Sequence, residues 1–143
     1  TMVSLTRSAA RYVSKLSNKL RRKLDMLSSR NEFSGSQGRA LHFLLAQTGD
    51  IFQKDIEEEY SIRPSTATEL LKQMEKNGLL IREPAPYDNR LKRIVLTDKA
   101  LVYKDQVVEE LTDLEETLVR GIPEEKLEVF FEVIEKMMDN LSE

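Results

Sequence analysis

The chain has 143 residues, 40% of them hydrophobic and 33% charged, a size for one ordinary domain and a composition too apolar for a disordered chain and too polar for a membrane protein. Its formal net charge of −3 hides a division: residues 1–97 carry 17 Lys+Arg against 11 Asp+Glu, whereas residues 98–143 carry 5 against 14. Cysteine is absent and His42 is the single histidine, which excludes disulfides, thiolate and His-cluster metal sites, cysteine nucleophiles and thiol redox sensing.

The first segment reads as a long amphipathic helix. Leu5, Ala9, Tyr12, Val13, Leu16, Leu20, Leu24 and Leu27 recur at spacings of three and four, one stripe on a 3.6-residue period. The remaining faces are basic: Arg7, Arg11, Lys15, Lys19, Arg21, Arg22 and Lys23 all precede the first acid, Asp25. Such a run is either a solvated face or a surface that attracts nucleic acid. Arg7, Arg11 and Lys15 also interrupt any N-terminal signal core, and no stretch approaches the roughly 18 apolar residues of a spanning helix. The expected location is the cytoplasm, with no membrane partner.

Ser28 to Gln37 is a polar connector, with Ser34 or Ser36 available as a cap. A short helix follows from about Gln37 to Gln47, with Ala40, Leu41, Leu44 and Leu45 inward. His42 falls off that stripe and is expected to be partly exposed. Thr48-Gly49-Asp50 stops the helix.

Gln53 to Tyr60 predicts a brief helix with Ile56 inward, and Ser61-Ile62-Arg63 a tight turn. Pro64 suits the first position of the next helix. Thr66-Ala67-Thr68-Glu69 has capping-box spacing, so that helix could instead start two residues later. It buries Ala67, Leu70, Leu71 and Met74, and Asn77-Gly78 ends it. Helix, three-residue turn and helix is the helix-turn-helix arrangement. The outer face of the second helix carries Ser65, Glu69, Lys72 and Lys76, flanked by Thr66, Thr68 and Gln73. Short hydroxyls at the N-terminal end, followed by lysines one turn later, suit a helix pushed end-first into a major groove, where they can meet phosphates and base edges. Glu57, Glu58 and Glu59 are consecutive and point apart around their helix, so they make no convergent acid–base pair.

Leu79 to Glu83 reads as a strand and Arg93 to Leu96 as its partner. The nine residues between them, Pro84 to Lys92, exceed a two-residue turn and are expected to protrude as a loop. The returning side is basic, with Arg90, Lys92 and Arg93. A basic hairpin after a helix-turn-helix is a wing, and its arginines suit the focused potential of a minor groove.

From Asp98 one helix is expected, with Val107, Val108, Leu111, Leu114 and Leu118 on a stripe, until Gly121-Ile122-Pro123 breaks it. A last helix carries Leu127, Phe130, Phe131, Ile134, Met137, Met138 and Leu141. These stripes and that of the first helix exceed what a small helix-turn-helix lobe can cover. They pack either as a monomeric bundle or, in the preferred reading, across a symmetric dimer.

At Asp88-Asn89-Arg90, followed by Leu96-Thr97, the chain resembles the multiple-antibiotic-resistance regulator (MarR) family of winged-helix transcription factors. Pro64 to Thr68, Leu70-Leu71 and Met74 to Leu79 look like that family's recognition helix and its exit into the wing. Ala100 departs from the family's usual glycine at a helix start. The resemblance implies a mainly α fold with a small β-hairpin wing: a winged helix-turn-helix lobe over residues 34–97, and dimerisation helices over 1–33 and 98–143. It implies a homodimer on a pseudo-palindromic operator in double-stranded DNA, usually a repressor, often released by a small aromatic or phenolic effector. Ser65, Thr66, Thr68 and Lys72 would lie at the major groove, and Arg90 in the minor groove with Asp88 bracing the wing. Arg63, Lys92 and Arg93 complete the candidate DNA-binding set. No enzyme activity, metal or cofactor is expected. The rival reading is a winged-helix adaptor for protein partners without a specific operator. Tyr12, His42 and Tyr103 could line an effector pocket, but each reads better as packing or surface.

Overall fold

A computed structural model describes residues 5–29 and 35–142. Among them seven helices and one hairpin follow the order α1 (Ala9–Ser29), α2 (Gly35–Ala46), α3 (Gln53–Tyr60), α4 (Pro64–Lys76), β1 (Leu80–Ala85), β2 (Asp88–Leu96), α5 (Asp98–Leu101), α6 (Lys104–Leu118) and α7 (Glu124–Leu141). They fall into two compact units, one ending at Val108 and one beginning at Glu109.

In the first unit, α1 starts after Ser8, whose hydroxyl accepts from the Arg11 amide at 3.1 Å, a cap that leaves Leu5 outside the helix and exposed. Its second half lies on α2, where an Arg39–Asp25 pair at 2.8 Å joins the two helices. Ser36 lies inside α2 and does not cap it, and Ser34 is outside the described residues. Ala40, Leu41, Leu44 and Leu45 are buried as expected, but so is His42, at 4% exposure. The stripe is wider than two-sided patterning suggests, because α2 runs through the middle of the core with α1, α4 and α5 around it.

Tyr60 anchors α3 to α2. Its hydroxyl donates to the Arg39 carbonyl at 3.0 Å, and its ring meets Phe43 edge-on. Burial, aided by the nearby Glu59 charge, pushes the phenol up to about 12. A group held protonated in the fold contributes stability that is complete below its ordinary pKa and lost as pH rises through the folded one. The first unit is therefore expected to lose stability between about pH 10 and about pH 12, and Tyr60→Phe should remove that loss. Denaturant titrations of both proteins across this range check it.

Helix α4 starts at Pro64, not at Thr66. Arg63 is its extended N-cap residue, and the Ala67 amide reaches the Arg63 carbonyl at 3.1 Å. Proline at the first position gives up an amide that would have had no partner there. Ala67, Leu71 and Met74 are fully buried, with Leu70 at the margin. At the other end Leu79 donates to the Met74 carbonyl and Gly78 to the Glu75 carbonyl, with Gly78 at φ +77°; this is a Schellman closure, which needs a left-handed residue.

The strands pair antiparallel from Leu80↔Leu96 to Pro84↔Lys92, and then Ala85↔Asp88. Pairing continues almost to the tip, so the expected nine-residue loop is a longer hairpin closed by Pro86 and Tyr87. Pro84 is tolerated because β1 has a strand neighbour on one side only. The register shift at Pro84/Ala85 leaves Asn89, Arg90 and Leu91 without partners on β1, a bulge centred on Arg90. On the other side of β2, Ile94 donates to the Ile51 carbonyl at 2.7 Å and Phe52 bridges Arg93, so the segment entering α3 adds a short third strip.

Thr97 joins three elements. Its hydroxyl donates to the Gly78 carbonyl at 2.5 Å, its amide donates to the Leu79 carbonyl, and its side chain caps α5 by accepting from Ala100. Thr97→Ala is expected to cost about 1–2 kcal/mol, one cap plus one half-buried carbonyl left short of a donor. Urea unfolding measures it, and a change below about 0.5 kcal/mol would show the threonine is dispensable. The helix expected from Asp98 is broken after Leu101: Tyr103 donates to Ala100, three residues back, and the regular ladder resumes with α6.

In the second unit, α6 ends before Gly121, at φ +79°, and α7 follows Pro123. Helix α7 has no buried residue; Val129, Phe130, Phe131, Val133, Met138 and Leu141 are all exposed.

Candidate nucleic-acid interface

The sequence places helix α4 in the lobe as a polar rod on an apolar seat. Its inward stripe fixes rotation about the axis, so Arg63, Ser65, Thr66 and Lys72 face outward and are exposed. Ser65 and Thr66 occupy the first turn, where amides have no intrahelical acceptor and the dipole favours an anion. Thr68 differs. It is half-buried, and its hydroxyl accepts from the Gln53 side-chain amide at 3.0 Å. Gln53 also donates to the Pro64 carbonyl and to Glu57, both at 3.2 Å. Gln53 is thus the clasp that sets the angle between α3 and α4, and Thr68 is part of it.

The hairpin carries the second cluster. Asp88 and Arg90, two apart, share one face of β2. The Asp88 carboxylate accepts from the Arg90 amide at 2.9 Å and from its guanidinium at 3.2 Å through both oxygens. These bonds hold the Asp88 carboxyl below its ordinary range. The Arg90 side chain is nonetheless 91% exposed, so it is aimed by a partner and not covered by one. Lys92 is exposed beside it. Arg93 points elsewhere: it is held by Glu83 at 2.7 Å and Asp50 at 3.4 Å, which raises its already high pKa. Arg93 ties the hairpin root to the segment before α3.

The structure thus leaves Ser65, Thr66 and Lys72 exposed on α4 with Arg63 exposed at its N-cap, sets Asp88, Arg90 and Lys92 on the hairpin of the same unit, and assigns Thr68 and Arg93 first to the scaffold. Gln53, Asp50 and Glu83 are missed by reading motifs. Glu83 becomes visible only with the correct strand register, and Gln53 only with the packing of two helices. Residues 34–97 hold nine Lys+Arg and nine Asp+Glu, so attraction for phosphate rests on where the cations stand.

Among the described residues no group of His, Asp or Glu could hold a metal ion, and no helix is long and apolar enough to cross a membrane. A groove of about 340 Å³ lies between the end of α2 and β2, with Leu44, Leu45, Ile94, Leu101 and Lys104 in its walls. Tyr12, His42 and Tyr103 do not line it.

Comparison with known proteins agrees with this architecture. The MarR family model matches residues 34–92, which span α2 to the hairpin. The MarR transcription regulator of Oenococcus oeni superposes with a TM-score of 0.81 at 26% identity, over 92% of this chain and 99% of that one. Over residues 34–92 the chain is similar to the MarR family. That family comprises winged-helix transcriptional regulators. S. aureus MepR in its DNA-binding conformation matches with a TM-score of 0.82 at 25% identity, over 94% and 99%. An HTH-type transcriptional regulator of Bacillus subtilis, YdgJ, is 25% identical over 99 residues, 69% of this chain; the match spans 60% of that relative's length. The Oenococcus oeni and Bacillus subtilis relatives are both named as transcription regulators.

Proposed function

We propose that this chain is a homodimeric, sequence-specific regulator of transcription that reads a pseudo-palindromic operator in double-stranded DNA, acts in the cytoplasm as a repressor, and releases DNA on binding a small aromatic or phenolic effector. The observation that carries the reading is the pairing, in one unit, of an exposed polar helix N-terminus (Arg63, Ser65, Thr66, with Lys72) and a bulged hairpin presenting Arg90. A helix of that kind fits a major groove and an exposed arginine on a hairpin fits a minor one. A solved complex of S. aureus MepR with DNA, 25% identical with a TM-score of 0.75, supports DNA as the partner. Residues 1–33 and 98–143 serve as dimerisation segments in this reading, supported by the exposed Tyr12, Val13 and Leu16 of α1 and Phe130, Phe131 and Met138 of α7.

Mobility-shift titration at fixed salt tests it, comparing DNA upstream of the protein's own gene with the same base composition scrambled. Specific binding should exceed scrambled binding by a factor on the order of 10³ or more and weaken steeply as salt is raised. Equal, weak binding to both would favour an adaptor for protein partners, with α1 supplying the residual attraction.

A further inference from the structure

We infer that Gln53 decides how selectively this chain reads DNA without touching it, by fixing the tilt of α4. The inference rests on the reading of α4 as the helix that enters the major groove, and adds what aims it. Gln53 is the first residue of α3 and is half-buried. Its side-chain amide meets Glu57, one turn on along α3, at 3.2 Å. On α4 it meets the Pro64 carbonyl at 3.2 Å and the Thr68 hydroxyl at 3.0 Å. Pro64 and Thr68 bracket Ser65 and Thr66, the exposed hydroxyls at the start of α4. The clasp therefore acts on the end of the helix that would meet bases.

The rest of the seat does a different job. Ala67, Leu71 and Met74 are fully buried, and apolar burial is non-directional, so it holds the helix down more than it sets an angle. Hydrogen bonds, in contrast, weaken steeply away from their preferred geometry. The far end of α4 is anchored separately. There the Asn77 side chain donates to Gln37 of α2 at 2.8 Å, and Lys99 of α5 donates to the Asn77 carbonyl at 2.8 Å. With that end held and the clasp lost, α4 can pivot about Asn77. The helix is about 20 Å long, so a tilt of about 5° moves Ser65 and Thr66 by about 1.5 Å. A binding constellation needs placement to about 0.5 Å, whereas attraction to the phosphates depends on charge and tolerates such a shift. Loss of the clasp should fall on operator binding and spare sequence-independent binding.

Gln53→Ala and the length-matched Gln53→Met both remove the donor, and Thr68→Val removes one acceptor while keeping its shape. Each full-length variant, and Thr68→Val combined with each Gln53 variant, is titrated by mobility shift at fixed salt. The duplexes are the operator recovered by in vitro selection with the parent chain and a scrambled control. Thermal melts establish which variants are folded at the assay temperature, and either Gln53 variant suffices. It should weaken operator binding at least about 10-fold and change scrambled binding by less than about threefold. Thr68→Val alone should cost less, since the bond to Pro64 survives. Added to a Gln53 variant it should cost no more than about a further twofold, because both act through one clasp. Unaltered operator affinity overturns the inference. So does an equal loss on both duplexes, which would mean a phosphate contact, and so does full additivity, which would mean that Thr68 meets DNA itself. Failure of both Gln53 variants to fold would make Gln53 a stability residue and overturn it as well. A parent chain that does not discriminate between the duplexes overturns the reading of α4 as a DNA-reading helix.

Discussion

Leu71→Ala is expected to lower the stability of the first unit by about 2–5 kcal/mol, the cost of a cavity at a site that cannot collapse. Leu71 is fully buried midway along α4, between Ala67 and Met74, which are equally buried. This face seats α4 against α2, α3 and β1 at once, so no single neighbour can move in to fill the space. A small domain has only about 5–15 kcal/mol of stability in total, and the loss should be plain in urea midpoints. The adjacent Lys72→Ala is the control. Lys72 is exposed, so its removal should change stability by less than about 0.5 kcal/mol while weakening DNA binding. One residue seats the rod and the next one uses it. If Leu71→Ala unfolds at the same urea concentration as the parent, the packing described for α4 is wrong.

Arg90→Ala is expected to weaken operator binding by about 1–3 kcal/mol, the usual worth of a specific groove contact, with no measurable change in folding. The side chain is 91% exposed, and its charged partner Asp88 fixes its direction more than it stabilises the fold. Arg93→Ala should do the reverse. Arg93 is held by Glu83 and Asp50, so its loss loosens the hairpin root and lowers stability before it touches DNA. Titration of the same duplex by both variants, alongside their unfolding curves, separates the roles. Unaltered affinity for Arg90→Ala would remove the hairpin from the interface.

Much of the lobe was legible because its signals are local. Pro64 and Gly78 mark the two ends of α4 through φ alone, and the boundaries of α3 follow from the turn at Ser61 to Arg63, where Ser61 takes φ +50°. The hairpin length was not legible. Pro84 and Pro86 read as loop residues, and only the absence of a second neighbour on β1, together with the bulge, lets Pro84 stay in the ladder. The burial of His42 escapes the sequence for a related reason: periodicity shows one apolar face, whereas α2 is surrounded. In the candidate site the exposed members could be named from helix-face geometry. Thr68 and Arg93 could not be assigned to the scaffold, because Gln53 is 15 residues from Thr68 and Asp50 is 43 from Arg93. The break between α5 and α6 has no sequence marker; Val102 and Tyr103 are ordinary helix residues.

In vitro selection of duplex DNA by the purified protein probes the central claim in one step. A symmetric dimer with one recognition helix per copy should enrich an inverted repeat whose half-sites lie about 10–10.5 base pairs apart, centre to centre, bound by two chains per duplex. Enrichment of a single unsymmetric site, or of no sequence at all, would contradict it.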